Sequence, residues 1–119
     1  TDYSYAAGRT ALLEYAKRAA RPDAVFCAND QIAMGVMDAA RFELGWDIPA
    51  DISVVGFDDV AEASRPGYQL TTMHQDSVEM ARQAVRLLLE RLAAPGGAPV
   101  RSVVTSPLMR RRSARLLVS

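Results

Sequence analysis

The sequence predicts an α/β fold, a parallel sheet flanked by helices. Three observations carry this. A short unbroken apolar run at 24–28 reads as a strand covered on both faces, and the mostly apolar 52–57 reads as a second buried strand. Stretches with apolar residues three and four apart lie between and after them, so the strands alternate with helices. Each strand-like run is followed by a polar pair: Asn29-Asp30, Asp58-Asp59 and Gln75-Asp76.

The elements follow in order. Residues 6–20 are Ala-rich, with Leu12, Leu13 and Ala16 on one helical face, and Arg21-Pro22-Asp23 stops the helix. Ala24–Ala28 is the first strand. Asp30 is the expected N-cap of a helix over 31–44. That helix is apolar on two sides. Ile32, Val36 and Ala39 form one row and Ala33, Met37, Ala40 and Leu44 the other, so one row needs a partner besides the sheet. Gly45 is its stop signal. Ile52–Phe57 is the second strand and Leu70–His74 the third, with a loop or short helix at 60–70. Asp76 and Glu79 form a capping-box-like pair before the clearest helical stripe in the chain, Val78, Ala81, Val85, Leu88 and Leu92. Pro95-Gly96-Gly97 ends that helix. Val100–Thr105 and Leu108–Arg111 read as two short strands.

Composition narrows the class. The 119 residues are 50% hydrophobic, with 14 Lys+Arg against 14 Asp+Glu, which excludes a disordered chain. Seven Gly, six Pro and one Cys exclude collagen-like and disulfide-dense scaffolds. Zero net charge argues against this segment being the part that grips nucleic acid. The balance hides an asymmetry: residues 1–59 carry a net −5 and residues 60–119 a net +5, much of it from Arg110, Arg111, Arg112 and Arg115. That basic run reads as a solvated surface. No apolar run is long enough for a membrane span. The opening Thr1-Asp2-Tyr3-Ser4-Tyr5 lacks the basic n-region of a signal peptide and reads as cut from a longer chain.

Catalytic signatures are missing from the sequence. There is no G-x-S-x-G elbow, P-loop or G-x-G-x-x-G. His74 is the sole histidine, which rules out a His-based metal cluster, and it reads as a hydrogen-bonded strand-end residue. Cys27 sits in an apolar run and reads as a buried hydrophobe. The informative feature is the set of polar strand ends. In open parallel sheets, ligands bind outside the carboxyl ends of the strands. Carboxylates and amides there suit a ligand rich in hydroxyls. Asp30 and Asp76 read as caps, Asn29 and Asp58 as ligand-facing.

The stretches RPDAVFCANDQIAMG (21–35), IPADISVVGFDD (48–59), LTTMHQ (70–75) and SPLMRRRS (106–113) resemble the LacI-type bacterial transcription regulators, in order and across nearly the whole chain. The resemblance implies a Rossmann-like, periplasmic-binding-protein-like type I domain, present here as an incomplete piece. It divides the chain into part of the C-terminal lobe (1–75), a crossover helix of the N-terminal lobe (76–99) and terminal strands with a basic tail (100–119). It implies a small hydroxylated effector, a sugar or a purine, held by Asn29, Asp58 and Gln75, with Tyr3 stacking on it. It further implies a homodimer through the 31–44 helix, operator DNA bound only by a separate N-terminal domain, a cytoplasmic location, no enzyme activity, and neither cofactor nor metal. The 38–45 segment is one residue longer than in some members. The helix at 76–92 would lack its lobe here, which predicts aggregation or self-pairing through its stripe. Two other readings stay open. One is a periplasmic sugar-binding transport receptor of the same fold. The other is a flavodoxin-like enzyme or receiver holding Mg²⁺ at Asp58-Asp59, which would want a late lysine where this chain has only Lys17.

Overall fold

The computed structural model describes residues 2–115. Its elements are helix α1 (Tyr5–Ala16), strand β1 (Ala24–Phe26), helix α2 (Asp30–Asp38), strand β2 (Ser53–Asp58), strand β3 (Thr71–His74), helix α3 (Ser77–Ala93) and strand β4 (Leu108–Met109). They fall into two compact units, Thr1–His74 with Leu108–Ser119, and Gln75–Pro107.

The first unit is an α/β layer. Its sheet runs β1-β2-β3-β4, with the first three strands parallel and β4 antiparallel. Val25 pairs with Val54, Val55 with Thr71 and Thr72 with Met109. Parallel neighbours require crossovers, so the three apolar strands all point their carboxyl ends to one edge. Ile52, Val54 and Leu70 are fully buried and pack in one cluster with Ala33 and Met37 of α2.

Both apolar rows of α2 are covered inside the chain. One side faces β2, and α1 lies across the other. The helices approach through two glycines. A Cβ on Gly8 would lie 2.1 Å from the Ile32 carbonyl oxygen, and one on Gly35 would lie 2.0 Å from that of Tyr5. Ala33, Val36, Met37, Ala39 and Ala40 are all buried as a result. The partner that the second row requires besides the sheet is therefore α1. Asp38 tightens the packing, accepting hydrogen bonds from Tyr5 and Tyr68 at 2.8 and 2.9 Å.

Other expectations shift for local reasons. Helix α1 stops at Ala16, because the amides of Arg18 and Ala19 both turn back to the Tyr15 carbonyl. The run Ala24–Ala28 is an edge strand rather than one covered on both faces: only β2 flanks it, and Phe26 is 66% exposed. The helix expected over 31–44 continues past Asp38 as a π-turn, Ala39–Glu43. A π-turn takes up one extra residue without breaking the helix. Gly45 ends the segment at φ +66°, as a left-handed stop should.

The second unit is dominated by α3. Asp76 caps it by accepting from the Glu79 amide. The Glu79 side chain turns to Arg82 and Gln83, so only half of the expected reciprocal pair forms. No residue of α3 is buried. The strand expected at Val100–Thr105 is not formed, and Val100 and Val103 are exposed. Of the strand expected at Leu108–Arg111, two residues pair, in the first unit. The basic tail is structural as far as residue 115; residues 116–119 of the expected tail lie outside the described residues. Ser113 is buried, accepts from the Thr71 amide and donates to the Val54 carbonyl. Arg115 donates to the Ala50 and Asp23 carbonyls.

Candidate functional site

The carboxyl ends of β1 and β2 lie side by side because the strands are parallel and in register, Phe26 against Val55. Asn29 follows the first of them and Asp58 ends the second. Asp58 also pairs across the sheet with His74, the last residue of β3. The edge where ligands of open α/β sheets bind thus carries an amide and a carboxylate from adjacent strands.

Asn29, not Asp30, caps α2. Its Oδ1 accepts from the Ile32 amide at 2.8 Å, and its Nδ2 donates to the Tyr3 carbonyl at 3.0 Å. This bond draws the Tyr3 backbone to the strand end, while the Tyr3 ring is exposed. Asp30 corrects the capping expectation. It is the first residue of the helix, fully buried, and turned under the β2 edge. Its carboxylate accepts from the Thr72 hydroxyl at 2.6 Å and from the Val60 amide at 2.9 Å. The Asp59 backbone adds a further bond. Burial raises its pKa, those hydrogen bonds oppose the rise, and the nearby Asp58 charge adds to it. Gly56 makes the room: a Cβ there would lie 2.2 Å from the Asp30 carboxylate.

The turn after β2 is left-handed at two consecutive positions, with φ 120° at Asp58 and 59° at Asp59. A non-glycine residue at φ 120° is strained and persists only where its surroundings hold it. They do so from two sides. Asp30 binds the turn's backbone from within. The Asp59 carboxylate is gripped by Arg111 at 2.6 Å and His74 Nδ1 at 3.0 Å, and Arg111 also donates to the Leu70 carbonyl.

Gln75 directly follows β3 and opens the second unit. Among the described residues, no group of three His, Cys, Asp or Glu could hold a metal ion. Cys27 is buried, which pushes its thiol up to about 12, with the Asp30 charge adding to the effect. At neutral pH it is a protonated hydrophobe rather than a nucleophile. No described helix is long and apolar enough to cross a membrane. Residue-by-residue reading missed Asp30, Asp59 and Arg111. Their contacts span 15 to 52 positions of sequence and leave no local signal.

The sequence profile of the periplasmic binding protein-like domain matches residues 1–114. The transcriptional repressor PurR of Yersinia enterocolitica is 38% identical over 112 residues, which is 94% of this chain and 33% of that protein. The chain therefore spans about a third of the length of the curated relatives it matches. The transcriptional regulator CelR, solved in complex with cellobiose, superposes with a TM-score of 0.86 at 34% identity, covering 95% of this chain and 34% of CelR. The lac repressor dimer bound to operator and anti-inducer superposes with a TM-score of 0.86 at 32% identity, covering 95% of this chain and 39% of that one. With its strand-end polar residues set in this α/β frame, the chain belongs to the periplasmic binding protein-like domain family, in the form that serves as the effector domain of LacI-type transcription regulators.

Proposed function

We propose that the chain senses a small effector, a hydroxyl-rich sugar or a purine, at the carboxyl edge of its sheet and thereby governs operator binding by the whole regulator. Asp58 accepts hydroxyls of the effector, Asn29 and Gln75 supply amide contacts, and the Tyr3 ring stacks on it. The observation that carries the reading is the doubly clamped left-handed turn at Asp58, since backbone strain of this kind clusters at ligand sites. The protein binds rather than catalyses, and it works in the cytoplasm.

Residues 1–75 belong to the C-terminal lobe, 76–99 to a crossover helix of the N-terminal lobe, and 100–119 to the closing strands and tail. The effector favours one arrangement of the lobes, and that preference shifts the population of DNA-binding states. DNA is read by a separate N-terminal domain. The homodimer forms through the 31–44 segment, where Phe42 is 80% exposed and is the apolar side chain a partner copy would bury.

The test is Asp58→Ala, titrated calorimetrically with ribose, cellobiose and guanine on the intact regulator. Losing a polar contact of this kind costs ~1–3 kcal/mol of binding. An affinity equal to wild type for whichever compound binds overturns the assignment.

A further inference from the structure

The chain passes between its two units twice, from His74 to Gln75 and from Pro107 to Leu108. Asp59 touches both passages from the first unit's side. Its Oδ2 meets Nδ1 of His74, the last residue before the chain leaves. Its Oδ1 meets Nη2 of Arg111, three residues past Leu108, where the chain returns. Among the described residues, Arg111 is the one member of the Arg110–Arg112 run with a carboxylate partner, at 2.6 Å. The Asp59 and Arg111 side chains are only 12% and 15% exposed, so the pair is shielded far better than an ordinary surface bridge. Arg111 is pinned twice more, by its amide to the Thr71 hydroxyl and by Nη1 to the Leu70 carbonyl. The neighbouring residue is Asp58, whose φ of 120° has to be held in place.

We propose that Asp59 is a positioning residue that ties the Asp58 turn to both interlobe passages, with Arg111 as the strut and His74 as the second tether. Displacement of either passage then re-aims the Asp58 carboxylate, and a ligand fixing Asp58 holds both passages. The effector part of this statement rests on the reading of Asp58 given above; the mechanical tie does not. The chemistry favours arginine at 111. A guanidinium can bond the Leu70 carbonyl and the Asp59 carboxylate at once in a fixed fork, whereas an ammonium is a single point charge.

The test is amide hydrogen exchange on the full chain, comparing wild type with Asp59→Asn, Arg111→Gln, Arg111→Lys and Arg110→Gln. Asp59→Asn and Arg111→Gln should speed exchange at least ~10-fold in segments 58–60, 72–76 and 107–110 through local opening, while Val54 and Val55 in β2 keep their protection. Arg111→Lys should recover part of the protection, and Arg110→Gln should match wild type. Exchange that is unchanged, or that rises equally in β2, overturns the tie, the second result marking Arg111 as an ordinary stabilising residue. Titration of the same variants with ribose, cellobiose and guanine separates the two readings. Faster exchange together with weakened binding supports both. Faster exchange with wild-type affinity keeps the tie and removes Asp58 from the effector site.

Discussion

Helices α2 and α3 are both amphipathic in sequence, and the fold treats them in opposite ways. From Ala33 to Met37 every residue of α2 is buried, whereas α3 buries none of its 17 residues. Yet α3 carries the cleaner stripe, Val78, Ala81, Val85, Leu88 and Leu92. Periodicity reports that a face requires a partner; it does not say whether that partner lies in the same stretch of chain. For α2 the requirement is met twice, by the sheet and by α1 across paired glycines. For α3 it is unmet among the described residues, and its polar side holds itself together with Glu79–Arg82 and Arg86–Glu90 pairs. Exposed pairs of that kind add only a few tenths of a kcal/mol each.

The largest effect should come from breaking the covered side of this comparison. Gly35→Ala places a methyl 2.0 Å from the Tyr5 carbonyl oxygen, a backbone atom that cannot rotate away. The helices must separate, which unseats Leu12 and Val36 from the core. The expected loss is about 3 kcal/mol, the upper end of ordinary overpacking, read as a lower urea midpoint. A loss below about 1 kcal/mol would mean that the glycine pair does not fix the crossing.

A smaller effect sharpens how α2 serves the strand edge. Asp30→Ala strands the Val60 amide and the Thr72 hydroxyl and should cost about 1–3 kcal/mol. Asp30→Asn keeps an acceptor for the Val60 amide and presents an amide donor to the Thr72 oxygen in place of the acceptor its hydroxyl now uses. The pair of variants also gives a sign to the pH dependence. Burial raises the Asp30 pKa in the folded state, so its protonated form is the one folding favours. Its contribution is fully present below the unfolded carboxylate value of about 4 and is lost as pH rises through the raised folded value. Wild type should therefore lose stability relative to Asp30→Asn as pH rises above about 4, measured as a shrinking difference in Tm. A difference that grows across that range would mean the hydrogen bonds outweigh burial.

The same contrast explains what could be read from sequence. The strands, the helices and the polar strand ends announce themselves locally, through apolar runs, 3-4 spacing and turn residues. The Asn29 cap was misread by one position because Asn29 and Asp30 are both capping residues, and only the buried Thr72 hydroxyl decides which one turns inward. The Arg110–Arg112 run looks like a solvated tail until the fold brings Arg111 to Asp59, 52 residues away. Ser113 gives no hint in sequence that its hydroxyl replaces a strand partner for both Thr71 and Val54. Local pattern encodes elements, whereas the clamp around the Asp58 turn consists of long-range polar contacts.

The smallest effect on stability should come from the uncovered side. Val85→Glu combined with Leu88→Lys removes the middle of the α3 stripe. Because neither residue is buried, the unfolding free energy of this chain should move by no more than ~0.5 kcal/mol. Self-association should change far more. Apolar faces of this kind draw copies together, so wild type should sediment as a concentration-dependent mixture and the double variant as a monomer. A wild-type chain that stays monomeric at every concentration would show that the stripe requires no partner here. A large stability loss in the double variant would show that its face is covered after all, and α3 would then stand beside α2 rather than against it.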